Sequence, residues 1–228
     1  MQVEWSDQAA GLRRRSARMP IACTYCFFDT AKWTGRLAAS LHHAGRTSLL
    51  IDRQGRLFGT AQTRSLFSWK QQLERGELHT LPLNPGEGWH APGVRADDPA
   101  LRDVARAYDH LLFDEEPGGA ALILMPGAYH AFLVEVQATR SSMLRAYTLL
   151  KTLSHHVEAG MNVNLLGDQT ACAQVLGAAS HFLPLPFAQA IDCMAHADTA
   201  FSALAVRMPG EETSQATRFK TENMKAWP

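Results

Sequence analysis

Three sets of residues in this 228-residue chain have types and spacing that could do chemistry. The first is Cys23-Thr-Tyr-Cys26, running on through Phe27, Phe28, Asp29, Thr30 and Ala31 to Lys32. Such a stretch, between a strand-like apolar segment and a helix-like one, is a phosphate loop, a redox Cys-x-x-Cys, or neither. A phosphate loop needs glycines that let backbone N–H groups wrap the phosphates, a lysine for the terminal phosphates and a hydroxyl for magnesium. This segment has no glycine, and Asp29 puts negative charge where phosphate would lie, so ordinary ATP binding is not expected. Lys32 reads as a solvated residue of the first helical turn. The Cys-x-x-Cys before a helix also fits a thiol redox site, because a helix N-terminus lowers the thiolate pKa. A thioredoxin-like domain is shorter and mixes antiparallel strands, which leaves two structural cysteines as the favoured reading.

The second set is Asp52 and Asp114, each closing a strand-like apolar run. The third is the leader Asp7-Gln-Ala-Ala-Gly-Leu-Arg-Arg-Arg15. As a short helix capped near Ser6 it would set Gln8 and Leu12 on one side with Arg13 beside them. A glutamine amide beside an apolar anchor and arginines suits insertion next to the nucleotide of a partner GTPase. There an amide can orient the attacking water and an arginine can offset developing charge. The plain alternative is a basic disordered tail.

These positions require strands whose carboxyl ends share one edge. Residues 20–24 read as a strand. Thr34–Ala44 reads as a helix with Leu37, Ala38 and Leu41 inward and Gly45 as its stop, and Ser48–Ile51 as a buried strand. A helix follows around Ser65–Arg75, then a short strand at Leu78–Leu83 and a Gly/Pro-rich loop over Asn84–Asp98. Asp98-Pro99 starts another helix, and His110–Phe113 is a strand ending at Asp114. Beyond it come a strand at Ala120–Met125, a helix at Ser141–Leu153, a strand at Met161–Leu166 and a helix from the Asp168 cap through Ala179. Phe182–Leu185 reads as a last short strand and Ala188–Met208 as largely helical. The alternation predicts a single α/β domain, a mostly parallel sheet with helices on both faces. In such a sheet Cys23–Ala31, Asp52 and Asp114 face one crevice.

Composition excludes several classes. Lys and Arg total 22, as do Asp and Glu, so formal net charge is zero and no global field draws the chain to nucleic acid or anionic membrane. No apolar run reaches the roughly 18 residues of a bilayer span. Four unevenly spaced cysteines point to a reducing compartment, and Cys172 and Cys193 supply no second close pair for zinc. The chain is expected in the cytoplasm. The pairs His42/His43 and His155/His156 point about 100° apart on a helix and read as surface residues rather than chelators. Glu115 and Glu116 read as a solvated loop. There is neither a Gly-x-Ser-x-Gly elbow nor a Gly-x-Gly-x-x-Gly fingerprint.

The leader carries a resemblance that covers nearly the whole chain. Asp7, Gln8, Ala9, Leu12 and Arg13 match the Asp-Gln-Ala-x-x-Leu-Arg motif of the flagellar-number regulators FlhG (FleN, YlxH), within the MinD/ParA-type P-loop ATPases. Leu37 to Asp52, Tyr108 to Asp114, Ala146 to Lys151 and Val163-Asn164 are similar to further family motifs and follow in the same order. The resemblance implies the P-loop fold, and it also locates departures from the family. The family's spacing puts its signature lysine at Tyr25, its glycines at Cys26, Phe27 and Asp29, its catalytic lysine at Thr30 and its magnesium hydroxyl at Ala31. Gln54 stands where a second acid is usual, and Arg218–Trp227 does not read as the family's membrane helix.

What the resemblance implies is a pseudo-ATPase, with ATP and magnesium binding lost and no cofactor. Cys26, Phe27, Phe28, Asp29, Thr30, Ala31, Asp52 and Asp114 would be its degenerate nucleotide site, Phe27 and Phe28 taking up part of the nucleotide's space. Residues 1–19 would be an activator leader, 20–208 the MinD-like domain and 209–228 a polar tail. The implied partner is the SRP-type GTPase FlhF, met by Asp7, Gln8, Ala9, Leu12, Arg13 and Arg14. Contact with flagellar basal-body components, weak or indirect membrane association and recruitment to the flagellar base follow from the same resemblance. Two alternatives stand beside it: an ATPase with an atypical loop using Lys32, Asp52 and Asp114, and a scaffold for another polar machine such as cellulose or pilus assembly.

Overall fold

The run Ile21-Ala-Cys-Thr-Tyr-Cys-Phe27 carries no charge, a composition suited to a strand buried on both faces. The computed structural model describes residues 21–30, 32–52, 80–82, 108–116, 124, 128–155, 161–195 and 198–208. There this run is β1 (Ile21–Phe27), buried at every position after Ile21. Six further strands follow: β2 (Ser48–Asp52), β3 (Thr80–Pro82), β4 (His110–Glu115), β5 (Ala128–Val136), β6 (Asn162–Gly167) and β7 (Ile191–Ala195). Among the described residues these form one seven-stranded sheet in the order β3-β2-β4-β1-β5-β6-β7. Every pairing is parallel.

Helices supply the crossovers. α1 (Lys32–His43) lies between β1 and β2, and α2 (Arg140–Ser154) between β5 and β6. α3 (Gln169–Phe182) and the one-turn α4 (Leu185–Ala188) connect β6 to β7, and α5 (Asp198–Arg207) follows β7. α1 closes in a Schellman arrangement, with Gly45 at φ +74° and the Arg46 N–H donating to the Leu41 carbonyl at 2.9 Å. Thr139 caps α2, and the Asp168 carboxylate caps α3 by accepting from the Ala171 N–H at 2.8 Å.

Each face of the sheet has its own core. On one, Tyr25, Phe113, Phe132 and Leu165 meet Leu149 and Leu150 of α2 and Val175 of α3. Tyr25 is sandwiched between its register partners Phe113 and Phe132, at ring-centroid distances of 5.0 and 5.2 Å. On the other face Cys26, Leu112, Leu133 and Leu166 meet Leu37 and Leu41 of α1 and Phe201 and Leu204 of α5. Burying a leucine contributes on the order of 2 kcal/mol, so the Leu37/Leu41 stripe fixes α1 more firmly than any exposed ion pair could. β1 sits where the chain reverses its direction of travel across the sheet, and the carboxyl end of β1 is the expected crevice.

Several expectations need correction. β1 runs to Phe27, three residues past the anticipated end, so much of the supposed loop is strand. A central strand, Ala128–Val136, was not anticipated, and Leu124 of the expected 120–125 strand packs on the core outside any strand. Phe182 ends α3 and Leu185 begins α4 rather than forming a strand. The last strand is Ile191–Ala195, inside a region read as helical. Glu115 is the buried end of β4, not a solvated loop residue. The helices expected around 65–75 and after Asp98, the leader and the tail lie outside the described residues.

Candidate functional site

The carboxyl end of β1 turns into α1 through Phe28, Asp29 and Thr30. The parallel register sets Phe27 beside Val134, which brings Glu135 of β5 level with this turn. The Glu135 Oε2 accepts the Asp29 backbone N–H at 2.8 Å, and its Oε1 accepts from the Gln137 amide at 3.2 Å. The Asp29 carboxylate in turn receives Arg145 Nη2 of α2, at 3.0 and 3.1 Å to its two oxygens. A backbone N–H at this place in a parallel sheet is suited to an external anion. Here an internal carboxylate has it, and the neighbouring guanidinium is engaged by a second one. The cleft beneath, lined by Phe27, Glu135, Arg145 and Ala146 among others, measures about 10 Å³, room for about one water.

Further acids stand along the same edge. Asp114 is in register with both Cys26 and Asp52, and Glu115 with Phe27. All three carboxyl groups are buried. Thr34, in the first turn of α1, donates its hydroxyl to Asp114 Oδ1 at 3.0 Å and so ties the helix start to β4. Among the described residues no group of three or more His, Cys, Asp or Glu is placed to hold a metal ion. A phosphate arriving at the turn meets the carboxyl groups of Asp29 and Glu135, while those of Asp52, Asp114 and Glu115 are buried in the neighbouring strands.

The anticipated site residues separate into two groups. Cys26, Asp52 and Asp114 lie side by side at the carboxyl edge, with Asp29 and Thr30 exposed in the turn just beyond. Phe27 and Phe28 are both buried, but in opposite cores, Phe27 towards α2 and Phe28 towards α5. They fill the two faces of the sheet rather than one nucleotide-shaped space. Tyr25 lies inside its aromatic stack between Phe113 and Phe132. Lys32 is exposed, its ammonium 4.9 Å from the Trp33 ring centroid. Asp7, Gln8, Ala9, Leu12, Arg13, Arg14 and Ala31 lie outside the described residues.

The redox reading of Cys23 and Cys26 is overturned. Successive side chains of a strand point to opposite faces, so residues three apart cannot meet. Cys23 accordingly sits in the α2/α3 core and Cys26 in the α1/α5 core. Burial pushes both thiols far up, with Asp114 and Glu115 adding to the effect at Cys26. Both are packing residues.

Sequence reasoning missed Glu135, Arg145 and Thr34. A signal existed for two of them. Glu135 is the lone charge in the apolar run Ala131–Val136, and Thr34 continues the inward Leu37/Leu41 stripe of α1. Arg145 shows its role only once α2 is placed over the turn.

No protein-family model matches the chain, and no curated protein matches it. Among solved structures it is similar to the MinD cell division protein of Aquifex aeolicus, with a TM-score of 0.45 and 11% identity over 81% of this chain and 87% of that one. The MinC:MinD cell division protein complex of the same organism gives 0.45 and 13%, over 81% and 86%. At that distance the architecture rests on the strand order and parallel register of the chain itself: a doubly covered, all-parallel α/β sheet.

Proposed function

We propose that the chain is an FlhG-like regulator that has lost its ATP switch and acts on the SRP-type flagellar GTPase FlhF through Gln8. The observation that carries the first half is the occupied turn after β1, where Glu135 holds the Asp29 N–H and Asp29 holds Arg145. A turn so engaged gives an incoming phosphate neither its backbone donor nor its nearest guanidinium. The second half rests on the leader residues Asp7, Gln8, Ala9, Leu12 and Arg13. On this reading the sheet is a scaffold in the cytoplasm, recruited to the flagellar base by its partners, and its activity does not depend on a nucleotide cycle.

The test is GTP turnover by purified FlhF with the full chain added. Turnover should rise, equally with and without ATP. Gln8→Ala should cut the stimulation by about tenfold or more, the equivalent of about 1.4 kcal/mol of transition-state stabilisation. Equal stimulation by wild type and Gln8→Ala would overturn the leader's role, and stimulation that requires ATP would overturn the lost switch.

A further inference from the structure

Cys172 and Cys193 stand 21 positions apart in sequence and showed no pairing motif, yet the fold brings them together. Cys172 lies in the first turn of α3 and is buried, while Cys193 is the middle residue of β7 and is exposed. The Cys193 thiol points at the backbone of its neighbour, with Sγ 3.7 Å from the Cys172 carbonyl oxygen. α3 packs directly against β7, and both cysteines are free thiols.

We propose that Cys172 and Cys193 form an oxidation-sensitive pair, which closes to a disulfide when a low-molecular-weight disulfide reaches the exposed Cys193. The Cys193 thiolate attacks one sulfur of the small disulfide, whose S–S bond breaks and releases one small thiolate. The Cys172 thiolate then attacks the Cys193 sulfur and displaces the second small thiolate. Two protein thiols are oxidised, one small disulfide is reduced to two thiols, and the two protein protons end on those thiols. Cys172, shielded from solvent, reacts through its neighbour. The product would tie β7, at the end of the sheet order, to the helix packed on it.

Local charge sets the pace. Cys172 is pushed up to about 12 by burial, then by Cys193 and Asp168, and Cys193 is raised by burial and Asp192. Thiolate is therefore scarce at neutral pH, and closure is slow, on the scale of minutes to hours. This is the behaviour of a responder to sustained oxidation, not of a catalyst.

The experiment incubates the reduced full chain with glutathione disulfide at mildly alkaline pH, alkylates the remaining thiols and maps peptides without reduction. The expected product has lost about 2 Da before alkylation, from the two hydrogens removed, and yields one cross-linked peptide joining Cys172 and Cys193. Cys193→Ser should abolish the cross-link and leave Cys172 unmodified. Cys172→Ser, or Cys172→Ala should the serine variant fold poorly, should trap glutathione on Cys193. A wild-type chain that stays fully reduced, stops at a glutathione adduct on Cys193, or links either residue to Cys23 or Cys26 would overturn the proposal.

Discussion

The Asp29 backbone N–H bears directly on what the end of β1 can bind. Two kinds of acceptor suit it, an external phosphate and a carboxylate of the chain. Glu135 is held beside it by the β1/β5 register and pays no association entropy. A phosphate would also meet repulsion: two unit charges about 4 Å apart cost about 4 kcal/mol at an effective dielectric of 20. With Asp29 and Glu135 both at the turn and the Arg145 guanidinium engaged by Asp29, the local balance among the described residues disfavours an anion. At the opposite edge of the sheet, His110 is the charge-sensitive residue. It is buried at the start of β4, its Nε2 3.5 Å from the Arg46 guanidinium, and its Nδ1 has no hydrogen-bond partner among the described residues. Burial first, and Arg46 second, lower its pKa from 6.5 to about 4, against an opposing pull from Asp109. The unfolded chain therefore takes up a proton near pH 6.5 that the folded chain refuses until about pH 4. Stability from this group is complete above pH 6.5 and falls between there and pH 4, by about 3 kcal/mol. Urea unfolding at pH 7 and pH 4.5 should show that loss, and His110→Leu should flatten the difference.

At the scale of elements, two glycines predict opposite outcomes for one substitution. Gly167 ends β6 at φ +150°, and a Cβ there would lie 2.0 Å from the Val136 carbonyl oxygen of β5. That carbonyl also accepts the Asp168 N–H at 2.9 Å, so the contact cannot relax without loosening the cap of α3. Gly167→Ala should cost about 3 kcal/mol or more. Gly177 lies inside α3 with nothing among the described residues within 4 Å of a Cβ, and Gly177→Ala should gain up to about 1 kcal/mol. Thermal unfolding of the two variants checks both signs. The same elements show what the residues could reveal by themselves. α1 was legible because its stripe and Gly45 form a complete start-to-stop pattern, and α3 because Asp168 is a cap. β5 was not, since Ala128–Val136 and Ala120–Met125 are adjacent apolar stretches and periodicity cannot choose between them. β7 escaped because its exposed positions, Asp192, Cys193 and Ala195, lack strand composition. At the site, Asp52 and Asp114 were readable as strand ends. Glu135 and Arg145 reach Asp29 across 106 and 116 residues, a pairing that only the sheet order makes visible.

Across the whole molecule, a parallel sheet with a separate core on each face places its crevice at the end of β1, and the same chain fills that position from within. Tyr25, Phe113 and Phe132 brace one core across three strands, while Phe28, Trp33 and Phe201 brace the other directly behind the turn. Freeing the turn for a nucleotide would mean releasing the Asp29 N–H from Glu135 and the Asp29 carboxylate from Arg145. Calorimetric titration of magnesium-ATP into the full chain tests this most directly. The occupied turn predicts no saturable heat below about 1 mM nucleotide, a binding free energy weaker than about −4 kcal/mol. Magnesium-dependent binding at micromolar concentration would contradict it.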